Sequence, residues 1–210
     1  MNTNNIKPYE YNKETCFEEI FEKTYPLFVK YMKQEHRFNW AKDEFDINIA
    51  DDQMLLKMFL QINFVEELNE ATMGIDDRNH FVEEIVDAFN FLLASYFIYG
   101  LNYNDLEPWV DDEPEQSMGV YRLKNKHDFL YSEFYRVVEQ VGRACNLLKN
   151  YRTWKSCQYR TDLYMFNKEF KKIWVCFNKL CNVCGISSKE LFEIWSCKYQ
   201  INIFRIESNY

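Results

Sequence analysis

From Ile85 to Gly100 the chain reads IVDAFNFLLASYFIYG, and Asp87 is its only formally charged residue. A run this apolar and this long is expected to form a helix buried in a protein core, where a carboxylate needs a partner. Candidates lie directly upstream. Glu67 and Glu70 are three residues apart, as are Glu84 and Asp87, and that spacing puts both acids of each pair on one helix face. The apolar positions fall elsewhere on the wheel: Phe64, Val65 and Leu68 in the first pattern, and Ile85, Val86, Phe89, Leu92, Leu93 and Tyr96 in the second. Gly74 and Asp76-Asp77 signal a turn between them. Two antiparallel helices joined there would bring four carboxylates to one place.

Carboxylates so gathered repel one another and do not all stay ionised in a low dielectric without a counter-charge. A hard divalent cation with oxygen ligands supplies it, and Mg²⁺ is the usual ion where a phosphate substrate completes the octahedron. The alternative is a solvated acidic face, the commonest meaning of a charge run such as Glu66, Glu67 and Glu70. Asp87 argues against it, because its helix otherwise reads as core.

Composition limits the remaining choices. Only 5 Gly and 4 Pro in 210 residues argue against an all-β chain with its many tight turns, and 18% aromatics can build a sizeable core. The expectation is an all-α helical bundle with two acid-bearing motif helices. A net charge of −8 without a basic block argues against duplex nucleic acid, though not against a nucleotide, which needs only a few local cations and a metal. The longest apolar stretch, 85–101, contains Asp87 and Asn90 and reads as a buried helix, not a membrane span. No secretory signal is visible, and seven cysteines then fit a reducing cytoplasm. Cys181 and Cys184 form a C-x-x-C with Cys176 and Cys197 nearby, which zinc could use, but a continuous helical pattern favours core thiols.

Along the chain, residues 1–13 read as a loose leader. A helical pattern runs from Glu14 to about Arg37, with Pro26 kinking or dividing it, and 38–48 reads as a loop anchored by Trp40. Asp51 and Asp52 are placed to cap a third helix leading into the first acid motif, and Gly100 suits the end of the second motif helix. Residues 102–126 are rich in turn formers and acids and read as a solvated loop. Helical patterns return over 129–148 and 154–183. Gly185 stops that last run, and Ser187 or Ser188 caps a final helix over about 189–204.

That helix carries Lys198, Asn202 and Arg205 at intervals of four and three, on one face. Two cations and an amide together suit an anionic ligand bearing a sugar or base. Taken alone, the face reads better as an amphipathic last turn, with cations favoured at a helix C-terminus. The acid motifs Glu66-Glu67-Leu68-Asn69-Glu70 and Glu83-Glu84-Ile85-Val86-Asp87, followed by an apolar helix, resemble those of the all-α nucleoside triphosphate pyrophosphohydrolases. That superfamily includes the MazG-like enzymes, the dimeric dUTPases and the phage dCTP/dUTP pyrophosphatases. The tail strengthens the resemblance: Gly185, Ser187, Glu190, Leu191 and Phe192, then Lys198, Asn202, Arg205 and Tyr210, follow the pattern that ends the phage enzymes and dimeric dUTPases. The chain departs from it at Tyr199, Ile206 and Asn209, where the family has Asn, Gln and Gly.

The resemblance covers about 59–101 and 185–210. It implies one all-α domain whose motif core is 51–101 and 185–210, with 102–184 as a helical insertion. It also implies a homodimer that hydrolyses dUTP or dCTP to the monophosphate and pyrophosphate with Mg²⁺. Glu67, Glu70, Glu84 and Asp87 would be the metal ligands, and Glu67 or Glu66 the proton acceptor. Lys198, Arg205, Asn202, Asn90 and Tyr210 would hold the nucleotide. A broader MazG-type pyrophosphatase, or a non-catalytic acidic helical protein that binds a partner, are the competing readings. A mimic of DNA charge would spread its acids over the surface, whereas these are set into apolar helices.

Overall fold

The computed structural model describes residues 6–34, 45–111, 126–150 and 159–208, with the backbone alone for 126–129. The expected Trp40 anchor, most of the acidic loop, and Tyr210 lie outside them. Helices α1 (Cys16–Gln34), α2 (Ala50–Lys57), α3 (Val65–Met73), α4 (Arg78–Tyr99), α5 (Lys126–Leu147), α6 (Leu163–Val183) and α7 (Ser188–Glu207) form an all-α bundle. There is no β-strand among the described residues.

Local chemistry sets most of the helix boundaries. The Asp77 side chain accepts from the backbone N–H of Asn79 and His80 to start α4. Gly100 ends α4 at φ 86°, a conformation that an L side chain resists, and the Leu101 N–H bonds to the Tyr96 carbonyl across it. Of the two serines, Ser187 is the cap of α7, accepting from the Glu190 N–H at 3.2 Å. Helix α1 runs through Pro26 as one helix. Asp51 and Asp52 do not cap α2: the N-cap is Ile49, in extended geometry without a side-chain bond, and Asp52 is drawn to the Asp46 N–H at 2.7 Å.

Helix α2 passes without a break into α3 through a π-helical segment, Met58–Phe64. Its wider turns rotate everything downstream relative to an uninterrupted α-helix, in which each residue adds about 100°. The face on which Glu67 emerges is therefore set by this segment as well as by the spacing of its neighbours.

The core centres on α4, where Phe89, Leu92, Leu93 and Tyr96 are fully buried. Helix α6, within the segment expected as an insertion, supplies much of the opposite wall. Phe177 stacks on Phe89 at 5.8 Å and 6°, and the Trp174 ring meets Phe17, Trp109 and Tyr96 at 5.2–6.2 Å, its indole N–H bonded to the Glu107 carbonyl. Cys181 and Cys184 are buried in this core. Helix α3 lies along α4, α5 along α6, and α7 packs on α1 and α4.

The stretch expected as a loose leader is tied down from residue 7 onward. Gln200 on α7 donates to the Lys7 carbonyl at 2.9 Å, the Tyr9 N–H donates to Ser196 Oγ at 3.1 Å, and the Tyr11 hydroxyl lies 2.7 Å from Ser188 Oγ. Ser188 in turn donates its N–H and hydroxyl to Asp111 at 2.8 and 2.6 Å. These bonds form a strap across α7. Arg78 adds a further tether at the start of the helix, donating to the carbonyls of Cys184 and Gly185 and to Glu190.

Replacing Phe89 with Ala removes a ring packed on four other aromatics, so unfolding free energy should fall by about 3–5 kcal/mol in urea denaturation.

Candidate active site

Antiparallel α3 and α4 bring Glu67, Glu84 and Asp87 together: one carboxylate oxygen from each lies within 4.8 Å of the others. All three are half-buried. In an octahedral Mg²⁺ site with bonds near 2.1 Å, adjacent ligand oxygens lie about 3.0 Å apart and opposite ones about 4.2 Å, so the three oxygens would draw together around an ion. Three hard oxygen donors of like charge on rigid helices suit a divalent cation. His80, one turn before Glu84, places Nδ1 3.1 Å from Glu84 Oε1 and orients that carboxylate.

The crowding shows in the protonation equilibria. Burial, followed by the Asp87 charge, a hydrogen bond with Glu84 and the Glu70 charge, pushes Glu67 up to about 7. Burial also raises Asp87, opposed by Lys198, whose ammonium forms an ion pair with Asp87 Oδ2 and donates to the Glu83 carbonyl at 3.0 Å.

Two of the sequence-derived acids stand apart from the three. Glu70 is half-buried and near enough to raise Glu67 through its charge, but lies outside the cluster. Glu66 is exposed and lines a groove between α3 and α5 with Asn69, Thr72 and Tyr135. Of the adjacent pair, Glu67 is the one that meets Glu84 and Asp87.

Asp87 also lines a cleft of about 330 Å³ between α1, the π-helix, α4 and α7. Asn90 lines it one turn beyond Asp87, and Asn202 and Arg205 line it from α7. The rest of its wall is largely aromatic, including Phe28, Phe59, Phe91, Trp195 and Tyr199. A second opening on the other side of α7 is shared by Asp87, Lys198, Asn202 and Arg205. The structure thus gathers Glu67, Glu84, Asp87, Asn90, Lys198, Asn202 and Arg205 around one place, from segments more than 100 residues apart.

Sequence reasoning missed the contribution of α1. Its apolar positions, four or three residues apart from Phe17 to Phe28, announced a buried face but not that Thr24 and Phe28 would wall a cleft beside the acids. His80 was legible in principle, four residues before Glu84 on the same helix face.

A helical bundle that gathers carboxylates from two helices beside a cationic face of a third has the frame of the all-α nucleoside triphosphate pyrophosphohydrolases. Within that class the chain belongs to the dUTPase family: the family model described as dUTPase matches residues 71–210. It is accordingly a nucleotide hydrolase of the dUTP diphosphatase type. The match contains Glu84, Asp87 and the whole tail motif and runs through 102–184, while Glu67, Glu70 and α1 precede it. No curated protein and no solved structure matches the chain. No helix among the described residues is long and apolar enough to cross a membrane.

A carboxyl raised in the folded state stabilises the protein fully below its unfolded value and loses that contribution as pH rises through the folded value. Without divalent cations, the melting temperature should therefore fall between about pH 4.5 and about pH 7 as Glu67 is forced to ionise. Glu67→Gln should flatten this fall and melt higher than wild type at pH 7.5 in differential scanning fluorimetry.

Proposed function

We propose that the protein is a Mg²⁺-dependent pyrophosphohydrolase that converts a pyrimidine deoxynucleoside triphosphate, dUTP or dCTP, to the monophosphate and pyrophosphate. The observation that carries this reading is the convergence of Glu67, Glu84 and Asp87 beside a cleft that Asp87 lines together with Asn90, Asn202 and Arg205. Anion-binding cations, amides suited to a sugar or base, and a carboxylate set suited to a hard cation are what a nucleoside triphosphate requires at its different parts.

Mg²⁺ held by Glu67, Glu84 and Asp87, with Glu70 as a further candidate, supplies Lewis acidity to the phosphate oxygens and a more acidic water. The protein does the rest. Arg205 and Lys198 neutralise phosphate oxygens as charge builds in the transition state. Glu67 accepts a proton from the attacking water. The new bond forms between that water oxygen and the α-phosphorus, the α–β bridging bond breaks, and pyrophosphate leaves. Asn90 and Asn202 hold the nucleoside, with Tyr210 as a further candidate. Assembly as a homodimer, implied by the tail and acid motifs, belongs to the same reading and is tested by sedimentation.

Incubation with dUTP and with dCTP in Mg²⁺ should yield monophosphate and pyrophosphate in equal amounts by anion-exchange chromatography; orthophosphate with a diphosphate would overturn the assignment. Asp87→Asn should abolish turnover while keeping the helical circular dichroism spectrum.

A charge-assisted contact contributes on the order of 1.5–3 kcal/mol. Arg205→Ala should therefore lower kcat/KM by roughly one to two decades, and Lys198→Ala alike, whereas Lys189→Ala at the exposed start of α7 should change it little.

A further inference from the structure

Among the groups lining the cleft, Thr24 on α1 has no assigned role. It is only 9% exposed, and its Oγ1 is buried without a hydrogen-bond partner. A mid-helix threonine ordinarily returns its hydroxyl to a carbonyl one turn back or offers it to water. A buried polar atom that does neither is destabilising and calls for an explanation. Leu27 and Phe28 flank Thr24 along the same wall, Phe97 faces them from α4, and the other polar residues that α1 gives the cleft, Tyr31 and Gln34, lie two to three turns further along the helix. In a helix, threonine divides its time between two side-chain rotamers, so a single step about its first torsion re-aims the hydroxyl.

We propose that Thr24 is a base-reading residue, and that its hydroxyl binds uracil and cytosine at the same edge. The inference rests on the reading of the cleft as a nucleotide site. With the triphosphate at Asp87 and Arg205, the base extends into the aromatic part of the cleft, where its faces find Phe28, Phe91 and Tyr199 and its polar edge needs a partner. Uracil presents an acceptor at position 4, as thymine does, and cytosine a donor. A carboxylate or an ammonium would serve one and reject the other. A hydroxyl both donates and accepts, rotating to suit either base. Thr24 therefore admits both pyrimidines without rearrangement of the wall.

The test compares wild type, Thr24→Val and Thr24→Ser on dUTP, dCTP and 2-deoxyribose 5-triphosphate, which carries no base. Valine keeps the shape and removes the hydroxyl; its melting temperature should equal or exceed that of wild type. The expected result is a loss of roughly tenfold in kcat/KM for both dUTP and dCTP in Thr24→Val. The baseless substrate should stay within twofold, and Thr24→Ser should recover most of the loss. A parallel loss on all three substrates would assign Thr24 a structural role and overturn the proposal. So would unchanged activity in Thr24→Val, or a loss confined to one pyrimidine. Should wild type itself cleave neither nucleotide, the functional reading fails and Thr24 with it; should it cleave both while Thr24→Val matches it, only the role of Thr24 fails.

Discussion

Like charges held close on rigid helices define the centre of this protein. Glu67, Glu84 and Asp87 project from two helices whose other faces are locked into an aromatic core, so the carboxylates cannot drift apart to relieve their repulsion. Burial first, and this repulsion after it, appear as proton affinity, most clearly at Glu67, and as the demand for positive charge that Lys198 meets from α7. Keeping all three beside an aromatic cleft makes sense where a cation and a polyanion are to be bound together.

The rest of the fold can be understood as holding that geometry. Helix α4 delivers two of the acids and Asn90 from one surface while burying nearly all of another. The π-helical segment sets the rotation at which Glu67 emerges. The aromatic contacts of α6 and α1 keep α4 from shifting along its axis, and interlocked rings resist such sliding more than aliphatic packing does because their orientations are mutually fixed. Helix α7 is held from both sides, by Arg78 at its start and by the strap along its length.

How much of this was legible in the sequence follows from which signals are local. The acid pairs and the cationic tail face announced themselves through helical spacing, and Gly100 and Ser187 through their terminal chemistry, because each depends on residues within one turn. Cleft walls do not. Thr24 and Phe28 share a helix periodicity that reads simply as core, and nothing local tells which buried face will meet a void. Asp51 and Asp52 had the composition of a cap, but the extended backbone at Ile49 and the claim of the Asp46 N–H on Asp52 decided otherwise. Tyr9 and Tyr11 sit in a polar stretch with no periodicity, and their role appears only once α7 lies beside them. The π-helix has no compositional signature in Met58–Phe64 at all.

The strap has a consequence for the order in which the molecule comes together. Its bonds join positions 177 to 193 residues apart, among the longest separations a chain of this size can close. Contacts of that kind require the largest loop-closure entropy and form late, after the local helical hairpins have already condensed. The hairpin of α3 and α4 can gather its acids early, whereas the cationic helix is secured only when the segment around Tyr9 and Tyr11 docks on it. The three carboxylates lie within a stretch of 67–87, whereas Lys198 reaches Asp87 across 111 residues, so the cationic half of the site is its topologically distant part.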